Sequence, residues 1–539
     1  MRRLLTVLAA GVPLAAAVYL PTASAETRTG STATAFTCAA PSVKAPAGTK
    51  VESVTATSQK GGTIIGTGVL QGTVSGVPAF CEVTVTLTHP GANDHARVRT
   101  WLPVSGWNGR FQGLGGAAYL AGDNGVGLGT AVKNGYAAVS TDAGVGDALD
   151  TSWALDSEGR VNTAPLKNFA SRSQHEASIV GKEVVGAIYG KRPAYSYFTG
   201  CSTGGRQGYM EAQRHPDDYD GILADAPAVN WDEFEVATLW PQVVMNNEKT
   251  YPSKCEFEAF TNAAVKACDS LDGVKDGLVG DPARCDFDPG RLIGTKVVCE
   301  GRELTVTAAD ATVVRRIWDG PRTVSGRKLW YGTPIGADLW ALAGHSDPDA
   351  DGNVTGSPFP VPAAWLKLWV AKDPSLDISK ITYSRFTQLF KQSQAEYDKV
   401  IGTDDPDLSA FRESGGKLLT WHGLADQYIP TQGTVRYREQ VERELGGARK
   451  VDDFYRLFLA PGTDHCGLNG AGGSADGLAA LISWVEHGKA PRTLPATLIN
   501  ADRQPVTRDL CAYPRVSRYK GHGDPAAASS FRCVSPPRH

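Results

Sequence analysis

From Tyr195 to Gly208 the sequence reads Tyr-Ser-Tyr-Phe-Thr-Gly-Cys-Ser-Thr-Gly-Gly-Arg-Gln-Gly, and few architectures can house that run. An aromatic, strand-forming segment leads directly into Gly-x-Ser-x-Gly centred on Ser202, and a helix-compatible stretch follows to about His215. A turn this tight needs glycine at 200 and 204, because neighbouring backbone must approach closely there. It holds the serine up at the end of a sheet and aims the backbone N–H of Thr203 at a reacting oxygen. A plain Gly-rich turn would match the five-residue pattern alone. The strand before it and the helix after it point instead to a nucleophile elbow in an α/β fold with a parallel sheet.

A nucleophilic serine needs a base and an orienting acid, here in the chain order serine, acid, histidine. Asp426 follows the apolar segment Lys417-Leu418-Leu419-Thr420-Trp421 in the run Trp421-His422-Gly423-Leu424-Ala425-Asp426. His465 follows the next strand-like segment, residues 454–459, in Pro461-Gly462-Thr463-Asp464-His465-Cys466-Gly467. Both lie where such sheets build their sites, on loops at strand ends. A turn-forming aspartate and a solvated loop histidine are the plain alternatives, and order and spacing favour catalysis. Cys201 immediately precedes Ser202 and Cys466 immediately follows His465. If joined, they would bring serine and histidine into reach for a hydrogen bond of roughly 2.6–3.2 Å.

The 539 residues exceed what a single core requires. Residues 51–104 alternate apolar and polar side chains, as a strand-rich entry would. Short apolar runs then alternate with helical stretches to about residue 228. Residues 230–409 lose that rhythm and carry four cysteines, several Asp-rich turns and, between Trp318 and Trp369, five tryptophans, which marks an inserted domain. The core is therefore expected in two parts, residues 26–229 and residues 410–539, with the tail beyond Pro491 wrapping the surface. Trp330, Tyr331, Trp340, Trp365 and Trp369 read as core of the insertion, and none is assigned to binding.

Arg2 and Arg3, the apolar run from Leu4 to Leu20, and Ala23-Ser24-Ala25 read as a signal peptide over residues 1–25, and hence a secreted protein. Ten cysteines without a single CxxC pair favour disulfides over a metal-thiolate cluster. A net charge of −3 with no long single-sign run argues against nucleic-acid or membrane partners. In the insertion, Cys268-Asp269-Ser270-Leu271-Asp272-Gly273-Val274-Lys275-Asp276-Gly277-Leu278 places three carboxylates within eight residues. Hard oxygen ligands on a Gly-turned loop suit Ca²⁺, although the spacing is not that of an EF-hand. Cys268 and Cys285 bracket this loop and are expected to pair.

On Cys201-Ser202, Asp426 and His465-Cys466, and from about Asn108-Gly109-Arg110-Phe111 to the last cysteine, the chain resembles the tannase and feruloyl esterase family. Bacterial hydrolases of mono(2-hydroxyethyl) terephthalate look similar over the same span. The resemblance implies an α/β-hydrolase core with a large inserted lid domain, a serine esterase mechanism, and the Cys201–Cys466 bond. It also implies a structural calcium ion in the lid, held by Asp269, Asp272 and Asp276 with the carbonyls of Val274 and Leu278. The expected substrate is a small aromatic ester, feruloyl or galloyl, free or attached to plant polysaccharide or polyphenol. A terephthaloyl monoester, or acyl transfer or peptide cleavage by the same triad, are the alternatives; a terephthaloyl group would need a carboxylate partner such as arginine. The oxyanion donors are expected to be the N–H of Thr203 and that of Gly116 or Gly115, in the Gly113-Leu114-Gly115-Gly116 loop. Cys511 with Cys533 and Cys38 with Cys81 are expected to close the two ends. That leaves Cys255 with Cys299, a departure from the tighter lid disulfide common in the family.

Overall fold

Alternation in the entry region produces three long strands, β1 (Lys50–Gln59), β2 (Phe80–Thr88) and β3 (Ala96–Pro103), paired as an antiparallel meander. In this computed structural model the described residues are 36–68, 70, 72–349, 351, 353–467 and 476–536. The expected leader at residues 1–25 lies outside them. Beyond β3, strands and helices alternate as the sequence predicts: β4 (Arg110–Ala117), α1 (Val126–Lys133), β5 (Ala137–Thr141), α2 (Ser173–Tyr189), β6 (Tyr195–Cys201), α3 (Thr203–Arg214) and β7 (Gly221–Asp225). The chain then leaves the sheet through α4 (Trp231–Ala237) and rejoins it at β8 (Lys417–Gly423), followed by α5 (Thr431–Leu445), β9 (Tyr455–Ala460) and α6 (Gly477–His487).

Across the main sheet the order is β1-β2-β3-β5-β4-β6-β7-β8-β9, with every pair from β5 onward parallel. Because β5 and β6 lie on opposite sides of β4, the connections run outward in opposite directions from the β4–β6 boundary. A crevice opens at the carboxyl ends of strands at such a switch point. Period-two alternation separates the two faces. Tyr197, Leu223 and Leu419 pack with Leu128 and Val132 of α1 and Leu481 of α6. Their neighbours Phe198 and Ile222 meet α3 closely at Gly208, and Phe111 and Val139 meet α2 at Gly181.

The segment between β7 and β8 contributes a buried aromatic cluster that includes Trp231, Trp365 and Trp369, with Tyr119 and Phe169 from the core. Trp330 is buried in the same cluster, and Tyr331 and Trp340 pack against it, as expected of core residues. Within this segment, helix Lys254–Cys268 starts on a Ser253–Glu256 capping box and ends at Asp269, the first residue of the aspartate loop. All five cysteine pairs form as expected: Cys38–Cys81, Cys201–Cys466, Cys255–Cys299, Cys268–Cys285 and Cys511–Cys533.

The C-terminal tail does more than wrap the surface. It folds into two antiparallel strand pairs, Thr493–Ile499 with Pro505–Cys511 and Val516–Tyr519 with Phe531–Val534. Leu494, Leu498, Val506 and Leu510 alternate with exposed residues and are buried in the core. Full burial of such a side chain is worth about 1.5–3 kcal/mol, which explains why this segment is anchored despite its polar composition.

Candidate active site

Ser202 sits between β6 and α3 with φ 64° and ψ −123°, a conformation that costs a non-glycine residue about 1–3 kcal/mol. Close backbone packing enforces it. A β-carbon at Gly200 would lie 2.5 Å from the carbonyl carbon of Gly204, and one at Gly204 would lie 3.0 Å from the Gly116 oxygen. The Ser202 N–H donates to the Asp225 carbonyl at 3.1 Å, and its own carbonyl accepts from Ala228 N–H at 3.1 Å. The elbow is thereby tied to the end of β7.

Asp426 is fully buried after β8. Its Oδ1 accepts the N–H groups of Tyr428 (2.9 Å) and Ile429 (2.8 Å). Its Oδ2 accepts from His465 Nδ1 at 2.7 Å and from His422 Nε2 at 3.0 Å. Burial opposes ionisation of this carboxyl, but the two imidazoles outweigh it and hold Asp426 well below the usual carboxylate range. The contact to Asp426 assigns the His465 proton to Nδ1 and leaves Nε2 with its lone pair, the tautomer a general base requires. The His465 ring stands edge-on to Tyr428, with centroids 5.5 Å apart, and its backbone N–H donates to Gln427 Oε1 at 3.0 Å.

His422 was present in the sequence pattern but had no role assigned to it. It is completely buried, and its Nε2 faces two acceptors, Asp426 Oδ2 and the Ile429 carbonyl (3.2 Å), so that nitrogen carries the proton. The Thr434 hydroxyl then donates to Nδ1 at 2.9 Å. His422 therefore acts through Asp426, holding the same carboxylate oxygen that accepts from His465.

Ser202, His465, Cys201 and Cys466 all line one cavity of about 430 Å³. The Cys201–Cys466 bond spans 265 residues of sequence and sets the two Cα atoms 6.2 Å apart. It fastens the residue before the serine to the residue after the histidine. Trp231, Phe234, Phe359 and Tyr428 supply aromatic wall, and Phe359 stacks on Tyr428 at 4.7 Å. None of Trp330, Tyr331, Trp340, Trp365 and Trp369 is among the lining residues.

At the mouth of α3, Thr203 occupies the first helical position, where backbone N–H groups have no intrahelical acceptor. Its hydroxyl donates to the Ala118 carbonyl at 2.7 Å and joins the helix start to the end of β4. Gly115 and Gly116 both line the cavity, but they lie within β4 and not in a loop after it, because β4 continues into a pairing with the short strand Leu120–Gly122. The Gly116 N–H already donates to Gln207 Oε1 at 2.9 Å, a partner from α3 that sequence spacing could not supply.

The sequence model described as "Tannase and feruloyl esterase" matches residues 81–534. That span carries Ser202, Asp426, His465 and the Cys201–Cys466 disulfide. The chain belongs to the tannase and feruloyl esterase family. It is 48% identical over 464 residues to a probable feruloyl esterase of Arthroderma benhamiae, covering 84% of this chain and 86% of that protein. Feruloyl esterase B of Aspergillus niger is 32% identical over 84% of this chain and 87% of its own length. Among solved structures, tannin acyl hydrolase from Aspergillus niger superposes with a TM-score of 0.83 at 27% identity, covering 92% of this chain and 94% of that one. This family member is a carboxylesterase on an α/β-hydrolase fold with a large insertion.

The aspartate loop of the esterase is gripped by the C-terminal tail. Asp269 Oδ1 accepts the N–H groups of Asp276 and Gly277, both at 3.0 Å, while Asp272 Oδ1 accepts Val274 N–H at 3.2 Å and Asp276 Oδ1 accepts Leu278 N–H at 3.1 Å. Arg508, brought in from 232 residues away, ion-pairs with Asp276, and a β-carbon at Gly277 would collide with Ala501. Burial raises the Asp272 carboxyl to about 7 and also raises that of Asp276, with Arg508 opposing the latter. Three carboxylates crowded against one guanidinium form an oxygen donor set of the right hardness for a calcium ion, whose charge would favour their ionised form. The loop also touches the catalytic region: the Leu278 side chain fills the space a β-carbon at Gly462 would take, three residues before His465.

Proposed function

We propose that this protein is a secreted serine esterase that cleaves esters of aromatic acids, of the feruloyl or galloyl type, through an acyl-enzyme. The observation that carries the reading is the Asp426–His465 pair held beside Ser202 by the Cys201–Cys466 bond, on the wall of an aromatic-lined cavity. Ser202 Oγ attacks the ester carbonyl while His465 Nε2 takes its proton; Asp426 stabilises the imidazolium, and His422 keeps Asp426 in place. The Thr203 N–H, at the positive end of α3, receives the developing oxyanion, with Gly115 left as the candidate for the second donor because the Gly116 N–H is given to Gln207. The imidazolium returns its proton to the departing alcohol. Water, deprotonated by His465, then releases the aromatic acid and restores Ser202.

Five disulfides support export to an oxidising compartment. The terephthaloyl alternative is not favoured, because no lysine or arginine is among the described residues lining the cavity. A panel of methyl gallate, methyl ferulate, mono(2-hydroxyethyl) terephthalate and a short aliphatic ester tests the assignment. Turnover of a hydroxylated aromatic ester, with an initial burst of alcohol release if deacylation is slow, is the expected result. Cleavage of the aliphatic ester alone would remove the aromatic assignment.

The aspartate loop is proposed to hold a structural Ca²⁺ through Asp269, Asp272 and Asp276 with the carbonyls of Val274 and Leu278. When bound, the ion supplies charge compensation to the loop, and no catalytic step passes through it. Excess EDTA should lower the melting temperature, since a site filled at a hundred times its Kd contributes about 2.7 kcal/mol. An unchanged melting curve would count against the metal.

A further inference from the structure

α4 shows one face to the cavity: Trp231, Phe234, Glu235 and, just past the helix, Thr238 recur at the spacing i, i+3, i+4, i+7. Three of these suit an aromatic ring. Glu235 does not, at first sight. It is only 4% exposed, and its carboxyl makes no hydrogen bond or ion pair with any described residue. The other wall carboxylate, Asp123, is fully committed: Oδ1 accepts Gly125 and Leu128 N–H at 2.8 and 3.0 Å, and Oδ2 accepts Gly127 N–H at 2.9 Å. Asp123 is thus a helix cap, whereas Glu235 is a polar group left for an occupant of the cavity.

We propose that the Glu235 carboxyl is the subsite that recognises oxygen substituents on the acyl ring, pairing with a phenolic hydroxyl and rejecting a ring that carries its own negative charge. This rests on the esterase reading of the same cavity and specifies the acyl group it selects. An unpaired buried carboxyl is costly, and a hydroxylated ring relieves that cost where an unsubstituted ring cannot. Burial alone pushes Glu235 up to about 8, so below that pH it is a neutral acid. A neutral carboxyl presents one O–H donor beside one carbonyl acceptor. Two adjacent ring oxygens, hydroxyl beside hydroxyl or hydroxyl beside methoxy, present the complementary acceptor and donor. A terephthaloyl carboxylate presents acceptors only, so it leaves the Glu235 carbonyl oxygen without a donor, and its charge meets no cation among the described residues of this wall.

The test compares methyl 4-hydroxy-3-methoxycinnamate with methyl cinnamate in the full-length protein, in Glu235→Leu and in Glu235→Met, with Ser202→Ala as the blank. The unmodified protein should favour the hydroxylated ester by about 10–100-fold in kcat/KM, mainly through KM, as a site built around a hydrogen bond does. In both apolar variants that preference should fall to about threefold or less, with the loss of kcat/KM falling on the hydroxylated ester more than on methyl cinnamate, a change of ratio that general structural damage would not produce. A preference that survives in whichever variant folds, with turnover of methyl cinnamate intact, would place ring recognition elsewhere and overturn the proposal. If neither ester shows turnover above the Ser202→Ala blank, the esterase reading itself fails, a result distinct from the loss of discrimination.

Discussion

Alanine at position 202 will cut kcat by about 10⁴–10⁶-fold on any ester the protein hydrolyses, with little change in KM. In a triad that acts as a unit, losing the nucleophile costs nearly as much as losing all three members, and only binding and oxyanion stabilisation survive. His465 stays anchored by Asp426 in such a variant, so the loss is one of chemistry and not of fold. A companion variant separates the two. Ser202 holds a positive φ that glycine adopts without strain, so Ser202→Gly should be as inactive as Ser202→Ala yet more stable by about 1–2 kcal/mol. Steady-state kinetics with thermal melting checks both. Activity of Ser202→Ala within tenfold of the unmodified protein would show that another residue is the nucleophile.

Removing the Cys201–Cys466 bond as a paired Cys201→Ala/Cys466→Ala change should cost stability and catalysis together. The bond closes 265 residues, for which loop-closure entropy alone corresponds to about 5.6 kcal/mol, an upper bound because Cys255–Cys299 and Cys268–Cys285 already shorten part of that loop. The larger effect falls on kcat. Cys466 itself sits at φ 55°, so the chain around His465 is held in a conformation it would not choose alone. A displacement of about 1 Å between reacting groups can cost 10²-fold in rate. Removal of Cys511–Cys533, which closes only 22 residues far along the tail, should lower stability by about 3 kcal/mol and leave kcat alone. Equal kcat for the two disulfide variants would sink the claim that the 201–466 bond sets the Ser202–His465 geometry.

The contrast between these disulfides shows which parts of the site were legible beforehand. The elbow is a chain-local object. Its glycines, its strand and its helix are consecutive, and the backbone geometry they demand is written in residue types. Asp426 and His465 were readable for a similar reason, since each follows an apolar strand and the order along the chain is constrained by the sheet. His422 lies four residues before Asp426 in the same readable stretch, but a histidine next to a strand end carries no mark of burial. Only the turn that folds Asp426 back onto it, together with Thr434 from α5, shows what it does. The C-terminal strand pairs did have a signal, the alternation in Thr493–Ile499, which the proline- and arginine-rich composition obscured.

Residue identity and local spacing were enough to single out Ser202, Asp426 and His465 as the candidate nucleophile, acid and base, and to show the βα rhythm of the core, the aspartate loop and the cysteines beside Ser202 and His465. These features depend on backbone preference and on neighbours along the chain. Three others came only with the packed molecule. The Gly116 N–H is occupied by Gln207 from another element, Arg508 crosses 232 residues to Asp276, and the carboxyl of Glu235 lines the cavity without a partner among the described residues. No periodicity or motif encodes such contacts, because each is set by the juxtaposition of elements distant in sequence, and whether a polar group is paired or left free depends on every element packed around it.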